Sequence, residues 1–435
     1  MRAALAAEQW WRPAPPAVRP APLPAAAASL EAGTSPIAYG ALVGFTVVLL
    51  LAPQNFLPFL GMLRIVLLMG AIAIVAHVRD RWAQGLPLAR PGRESHLAAA
   101  LVVWALLGWP FSLWPGGSIA LFLGLYLKAL VVFWLIANLV DTLPRLRVMA
   151  WVLTGITVTL ALVGIYNYLT GVFGAQLDRR VVGYDGGLTR NPNDLALMLN
   201  LVIPIGVALL LSSRGALLRL ALVAAISLQV AAVILTFSRA GFLTLAATLG
   251  LYGLRLLRRP SRGLVLAALI VAVFVLPFLP AGYTDRLLTL RAVDADPTGS
   301  ARARWEGTVA AVENMAAHPF LGAGLGMDIL ALNERVGPAW RAVHNTYLEY
   351  GVDLGVPGLL LFLYLLVSCW RSARAARRGA EPELASLAEG IEISLLGFAV
   401  AAIFHPAAYQ FYFYYIAGLA VAARTVAARE VAASW

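Results

Sequence analysis

The chain has 435 residues, of which 61% are hydrophobic and 13% charged, and its mean hydropathy is +0.80. That is too apolar for an ordinary soluble domain, where about a quarter of residues are charged. The 33 basic residues against 22 acidic ones leave +11. Most arginines flank apolar runs, which excludes nucleic acid as the obvious partner and points to a membrane.

The apolar runs reach the length of about 18 residues needed to cross a bilayer as a helix. They show no period-2 alternation, which argues against a β-barrel. Lys128 is the only lysine, so the basic residues are otherwise arginine, which stays charged and holds phosphate oxygens bidentately. Cys369 is alone in an apolar run, which excludes an internal disulfide and a cysteine metal site.

Residues 1–35 are rich in Ala and Pro and read as a disordered cytoplasmic tail rather than a cleaved signal peptide. About twelve spans follow, near 37–52, 57–77, 97–114, 118–140, 148–170, 194–212, 216–236, 239–256, 263–281, 348–370, 386–404 and 409–427. The chain therefore divides into the tail, spans 1–9 over 36–281, a polar loop at 282–347, and spans 10–12 with a C-terminal end over 348–435. Short loops carrying Arg79, Arg81, Arg90, Arg93, Arg145, Arg147, Arg214, Arg255, Arg258, Arg371 and Arg377 all fall on one side when the spans alternate. The positive-inside rule makes that side cytoplasmic, with both termini inside. The loops 171–193, 237–239, 282–347 and 405–408 then face outward. Each carries an arginine or a histidine, and an anionic ligand on that face would account for them.

His344 lies at the outer end of span 10, in HNTYLEYGVDLGVPG. It reads either as an interfacial histidine at a helix start or as a group that exchanges a proton near neutral pH. Arg190, in GGLTRNPNDLA, is either a snorkelling arginine or an anion ligand beside a helix start. Arg239, in LTFSRAGF, sits at a tight turn between two apolar runs. A charge at that depth needs a partner or water, and a phosphate would serve. Residues 300–327 predict an amphipathic outer helix from about Ala303 to Ala317, then a glycine-rich turn that is not a nucleotide loop. Here a packed surface helix is the simplest reading, and Arg302, Arg304 and Arg341 remain secondary candidates for an anion. His405, before Pro406 and an aromatic run at 409–415, looks like an interfacial belt. There is no Asp-x-Asp pair, no His-x-x-x-His and no acidic cluster in the membrane. Neither a metal nor a cofactor is therefore expected.

Taken together these residues resemble the O-antigen ligase and polymerase superfamily. HNTYLEYGVDLGVPG fits the H-N-x9-G-x-x-G pattern, and TRNPNDLA, SRAG and HPFLGAGLGM look like the other landmarks in order. The resemblance covers roughly 180–360. It implies a GT-C type glycosyltransferase with one long periplasmic loop containing short helices, in the bacterial inner membrane. It further implies an undecaprenyl-diphosphate-linked glycan as donor and inversion at the anomeric carbon. Arg190 and Arg239 resemble the arginines that hold the diphosphate. His344, beside Asn345, resembles the essential histidine. Among the superfamily's activities, transfer to lipid A-core oligosaccharide is favoured over polymerisation of lipid-linked repeats or transfer to protein Ser or Thr. An anionic-lipid transporter is the rival from outside the class, but the two halves show no repeat and the arginines cluster at one face.

Overall fold

The computed structural model describes residues 34–55, 57–172, 181–183, 188–189, 191–258, 300–336 and 342–433. Most of the expected tail, the apolar run 263–281, the first part of the long loop, Arg190 and Arg341 lie outside the described residues. The remainder is helical, with no strand among the described residues. The helices are α1 (Pro36–Leu51), α2 (Ile65–Ala83), α3 (Arg93–Gly108), α4 (Pro115–Leu139), α5 (Leu143–Thr170), α6 (Pro192–Ser212) and α7 (Ala216–Leu235). They continue with α8 (Arg239–Leu256), α9 (Ser300–Ala317), α10 (Asp328–Val336), α11 (Thr346–Ala376), α12 (Pro382–Ala401) and α13 (Phe411–Ala433). Eight of them, α3 to α7 and α11 to α13, are long and apolar enough to cross a membrane. Helices α1, α2 and α8 form where spans are predicted but are too short or too polar to count among the eight. The protein is an all-α integral membrane protein.

Small residues set the closest helix approaches, as they do in bilayers, where hydrophobicity cannot drive one helix onto another. A methyl group on Gly390 of α12 would lie 2.7 Å from the Pro204 carbonyl of α6, and one on Gly418 of α13 would lie 2.9 Å from Ile136 of α4.

The aromatic run after His405 is core, not an interfacial belt. Tyr409, Phe411, Tyr412, Phe413, Tyr414 and Tyr415 are all buried. Their polar tips find partners inside: Tyr409 donates to Asp353 Oδ2 at 2.9 Å and Tyr412 to the Leu188 carbonyl at 2.6 Å. A tyrosine hydroxyl satisfied by protein no longer needs the headgroup layer.

Helix α11 is broken, and the break seats the loop. Gly355 has φ 67°, a left-handed conformation that other L residues avoid. The interruption frees backbone groups at membrane depth, which must find partners inside the protein. The loop after α9 supplies them. Ala323 N donates to the Val352 carbonyl at 2.7 Å and Gly324 N to that of Asp353 at 2.9 Å. Trp104 Nε1 reaches the Leu354 carbonyl at 2.8 Å, and Val356 N donates to Pro319 O at 2.8 Å. The expected glycine-rich turn is present, with Gly322, Gly324 and Gly326 all at positive φ. Gly355→Ala should therefore destabilise the fold. Its methyl would lie 2.2 Å from the Phe320 carbonyl in a disfavoured conformation. A loss of about 1–3 kcal/mol is expected, read as a lower midpoint of thermal unfolding in detergent.

At the end of the bundle opposite His344, many arginines have buried acid partners. Glu389 and Glu392, one turn apart on α12, are each 1% exposed and pair with Arg255 and Arg377. Glu94 accepts from Arg424, Ser368 and Ser372. The carboxyls come from separate helices or successive turns, so no sequence motif announces them. They also give several arginines a specific structural partner beyond their topological role.

Candidate functional site

Three helices begin at the same end of the bundle, each on a capping side chain. Asn191 starts α6 and accepts from Asn193 N at 2.9 Å. Ser238 starts α8 and accepts from Gly241 N at 3.0 Å. Asn345 starts α11 and accepts from Tyr347 N and Leu348 N at 2.9 and 3.1 Å. Asn and Ser suit these positions because a short side-chain oxygen satisfies amides left open at a helix start. Each start also presents the positive end of a helix dipole.

Side chains tie the three starts together. Ser238 Oγ donates to Asn193 Oδ1 at 2.8 Å, and Asn200 Nδ2 donates to the Gly241 carbonyl at 2.9 Å, fixing α8 against α6. Gly241 permits this approach, since a methyl there would lie 2.6 Å from the Ala196 Cβ. Phe237, just before the cap, has φ 49°, so the chain reverses sharply and Arg239 becomes the first residue of α8. The turn 402–408 between α12 and α13 links α6 to α11. His405 Nε2 meets Asp194 Oδ1 at 2.8 Å, while its backbone carbonyl accepts from Thr346 Oγ1 at 2.6 Å. Thr346 N donates to Ala402 O at 2.8 Å, and Ala408 N donates to Glu349 Oε2 at 3.1 Å.

His344 stands immediately before this junction and is half-buried. Its Nδ1 lies 2.9 Å from the Ala342 carbonyl. A carbonyl only accepts, so Nδ1 carries the proton and Nε2 is the basic nitrogen of the neutral ring. The segment leading to it is pinned by Asp328 at the start of α10, whose Oδ2 accepts from Val343 N at 2.8 Å. Burial pushes the Asp328 carboxyl above the usual carboxylate range. A small core of Ala310, Ala311, Met327, Leu332, Val343 and Val352 holds α9 and α10 on α11.

Arg239, His344 and Asn345 thus belong to one contiguous set of turns. The secondary candidates fare differently. Arg302 is exposed on α9 and pairs with Glu306 one turn on, at 3.1 Å, outside those turns. Arg304 is half-buried on the same helix. The sequence reading missed Asp194 and Thr346, and it assigned His405 to the lipid interface. Asp194 and His405 are 211 positions apart, so their pairing has no local signature.

Residues 224–363 match the family model described as O-antigen ligase. Over that segment the chain is similar to the O-antigen ligase family. The matched segment runs from α7 through Arg239, the glycine turn and His344 to Gly355 and Gly358. Members of the O-antigen ligase superfamily carry out glycan transfer of the ligase and polymerase type on lipid-linked glycans at a membrane. No curated protein matches the chain in sequence. Among solved structures, one chain from "Structural coordination of polymerization and crosslinking by a peptidoglycan synthase complex" is 19% identical. The alignment covers 78% of this chain and 97% of that one, with a TM-score of 0.42.

Proposed function

We propose that this protein transfers a glycan from undecaprenyl diphosphate to the lipid A-core oligosaccharide. The reaction would take place at the periplasmic face of the bacterial inner membrane, within a GT-C type architecture. The observation that carries the proposal is the meeting of three helix starts with Arg239 and His344 at one end of the bundle. Amides at helix starts and a fixed guanidinium suit a diphosphate, which gains negative charge as it leaves. The acceptor hydroxyl attacks the anomeric carbon, and the carbon–oxygen bond to the diphosphate breaks with its electron pair leaving on the diphosphate. His344 Nε2 takes the hydroxyl proton. Attack opposite the leaving group inverts the anomeric centre. Arg190, next to the cap Asn191, is the second diphosphate ligand in this reading, with Arg304 and Arg341 as further candidates.

The reaction is read as metal-independent. Fixed arginines and helix-start amides would neutralise the departing diphosphate without an ion. The test is an in vitro assay with the purified full chain and undecaprenyl-diphosphate glycan, offered lipid A-core or a second lipid-linked glycan as acceptor. Glycan on lipid A-core at a rate unchanged by EDTA is expected. Longer glycan on the lipid carrier would make the protein a polymerase, and a requirement for Mg²⁺ or Mn²⁺ would overturn the metal-free mechanism.

A further inference from the structure

The end of the bundle opposite His344 holds guanidinium groups that the proposed reaction does not use. Asp141, in the turn between α4 and α5, is 1% exposed and accepts from three arginines. Arg90 Nη2 and Arg429 Nη1 reach its Oδ2 at 3.0 and 2.9 Å, and Arg145 Nη1 reaches its Oδ1 at 2.8 Å. Arg81, in the last turn of α2, is within electrostatic reach of Arg90, Arg429 and Asp141. It is only 2% exposed, and its Nε donates to the Pro87 carbonyl at 2.8 Å. Among the described residues, these four guanidiniums are gathered around the single buried carboxylate of Asp141. The nearby acid Asp80 acts on His77.

Two further features point to a ligand. Arg81 Nη2, Arg90 Nε and Arg90 Nη1 are buried and meet no acceptor among the described residues. Burying guanidinium N–H groups without acceptors is costly, and arginine does not escape the cost by losing its proton. Burial pushes Arg90 down only to about 10, so it is still charged at neutral pH. The positive-inside rule accounts for the side of the membrane on which these arginines lie, but not for the burial of Arg81 and Arg90. Arg145 and Arg429 form the accessible rim, each 18% exposed. Beside the cluster in sequence, Trp82 is 80% exposed and Leu88 47% exposed, apolar flanks of the kind that lie against acyl chains at the headgroup level.

We propose that the arginine cluster around Asp141 is a binding site for a phosphate-bearing anion, filled in the membrane by the headgroup of an anionic phospholipid. Guanidinium forks match phosphate oxygens bidentately, and basic pockets between membrane helices suit such headgroups. The site stands apart from the proposed transfer reaction and does not depend on it.

The test uses the full chain in detergent. Native mass spectrometry would compare retention of phosphatidylglycerol with that of phosphatidylcholine, and thermal unfolding would be followed with inorganic phosphate alone. About tenfold tighter retention of phosphatidylglycerol is expected, equivalent to about 1.4 kcal/mol, with that preference reduced in Arg90→Gln. Arg81→Gln should reduce it too, and this variant leaves the three hydrogen-bonded pairs to Asp141 in place. Asp141→Asn should strengthen retention where it folds, because it removes the opposing charge, whereas a purely structural cluster would only lose stability. A rise in unfolding temperature with inorganic phosphate, lost in Arg81→Gln, would keep the anion site but make its source a free phosphate. Equal retention of both lipids with no phosphate effect would overturn the proposal, as would wild-type retention in both arginine variants.

Discussion

His344→Ala is expected to lower the transfer rate by about 10²–10⁴-fold, the usual contribution of a positioned general base. The ring is built for that role. Its Nδ1 is committed to the Ala342 carbonyl, which sets the tautomer, and Asp328 pins the adjoining Val343 amide. The loss should fall on the rate of the bound complex, since the imidazole acts on a proton that moves only as the acceptor attacks. The fold should survive, because Asn345, not His344, caps α11, and Thr346 joins it to the turn at 402–408. Turnover would be measured in the reconstituted assay alongside the unfolding temperature and elution profile. A variant that folds normally and transfers glycan at the wild-type rate would remove His344 from the mechanism.

Arg239→Lys should be impaired although the charge is kept. Arg239 is the first residue of α8, after the strained Phe237 and the cap Ser238, which is itself bonded to Asn193 of α6. A guanidinium so anchored can present two parallel N–H groups to a diphosphate, while an ammonium acts as a point charge. Losing one charge-assisted hydrogen bond is worth about 1.5–3 kcal/mol, or roughly 10–100-fold in rate. The donor concentration needed for half-maximal rate should rise as well, because the diphosphate is negative before and after transfer. Equal kinetics in the lysine variant would argue that Arg239 serves the fold and not the substrate.

Much of the architecture can be read from residue types and their order. Long apolar runs require helices in a bilayer, since every backbone group must be satisfied within the segment. The helix starts after Arg190 and at His344 are legible because turn and capping residues act locally. His344, Gly355 and Gly358 stand in one motif, and so do the glycines at 322, 324 and 326, whose positive φ values follow from lacking a Cβ. These signals are local, so a linear reading captures them. It captures less well where helix length and local polarity compete. The stretch 57–77, predicted as one span, is divided at Arg64, which has φ 46°.

The tertiary structure decided what depends on contacts between distant segments. Only the fold brings Asp194 to His405 and Thr346, and so joins the start of α6 to that of α11. Only packing turns the aromatic run at 409–415 from an apparent interfacial belt into core, because its hydroxyls meet partners such as the Leu188 carbonyl and the Asp353 carboxyl, far away in sequence. The Gly355 motif and the 322–326 glycines read as separate landmarks in the sequence. In the fold they are one device, the second supplying hydrogen bonds to the backbone that the first exposes. The arginine bias reads as membrane topology. Its division into paired structural groups and a cluster that shares Asp141 depends on which carboxyls face which guanidiniums. That is a property of helix packing, because burial and charge neighbourhood are set by what lies across the bundle, not by what lies next in the chain.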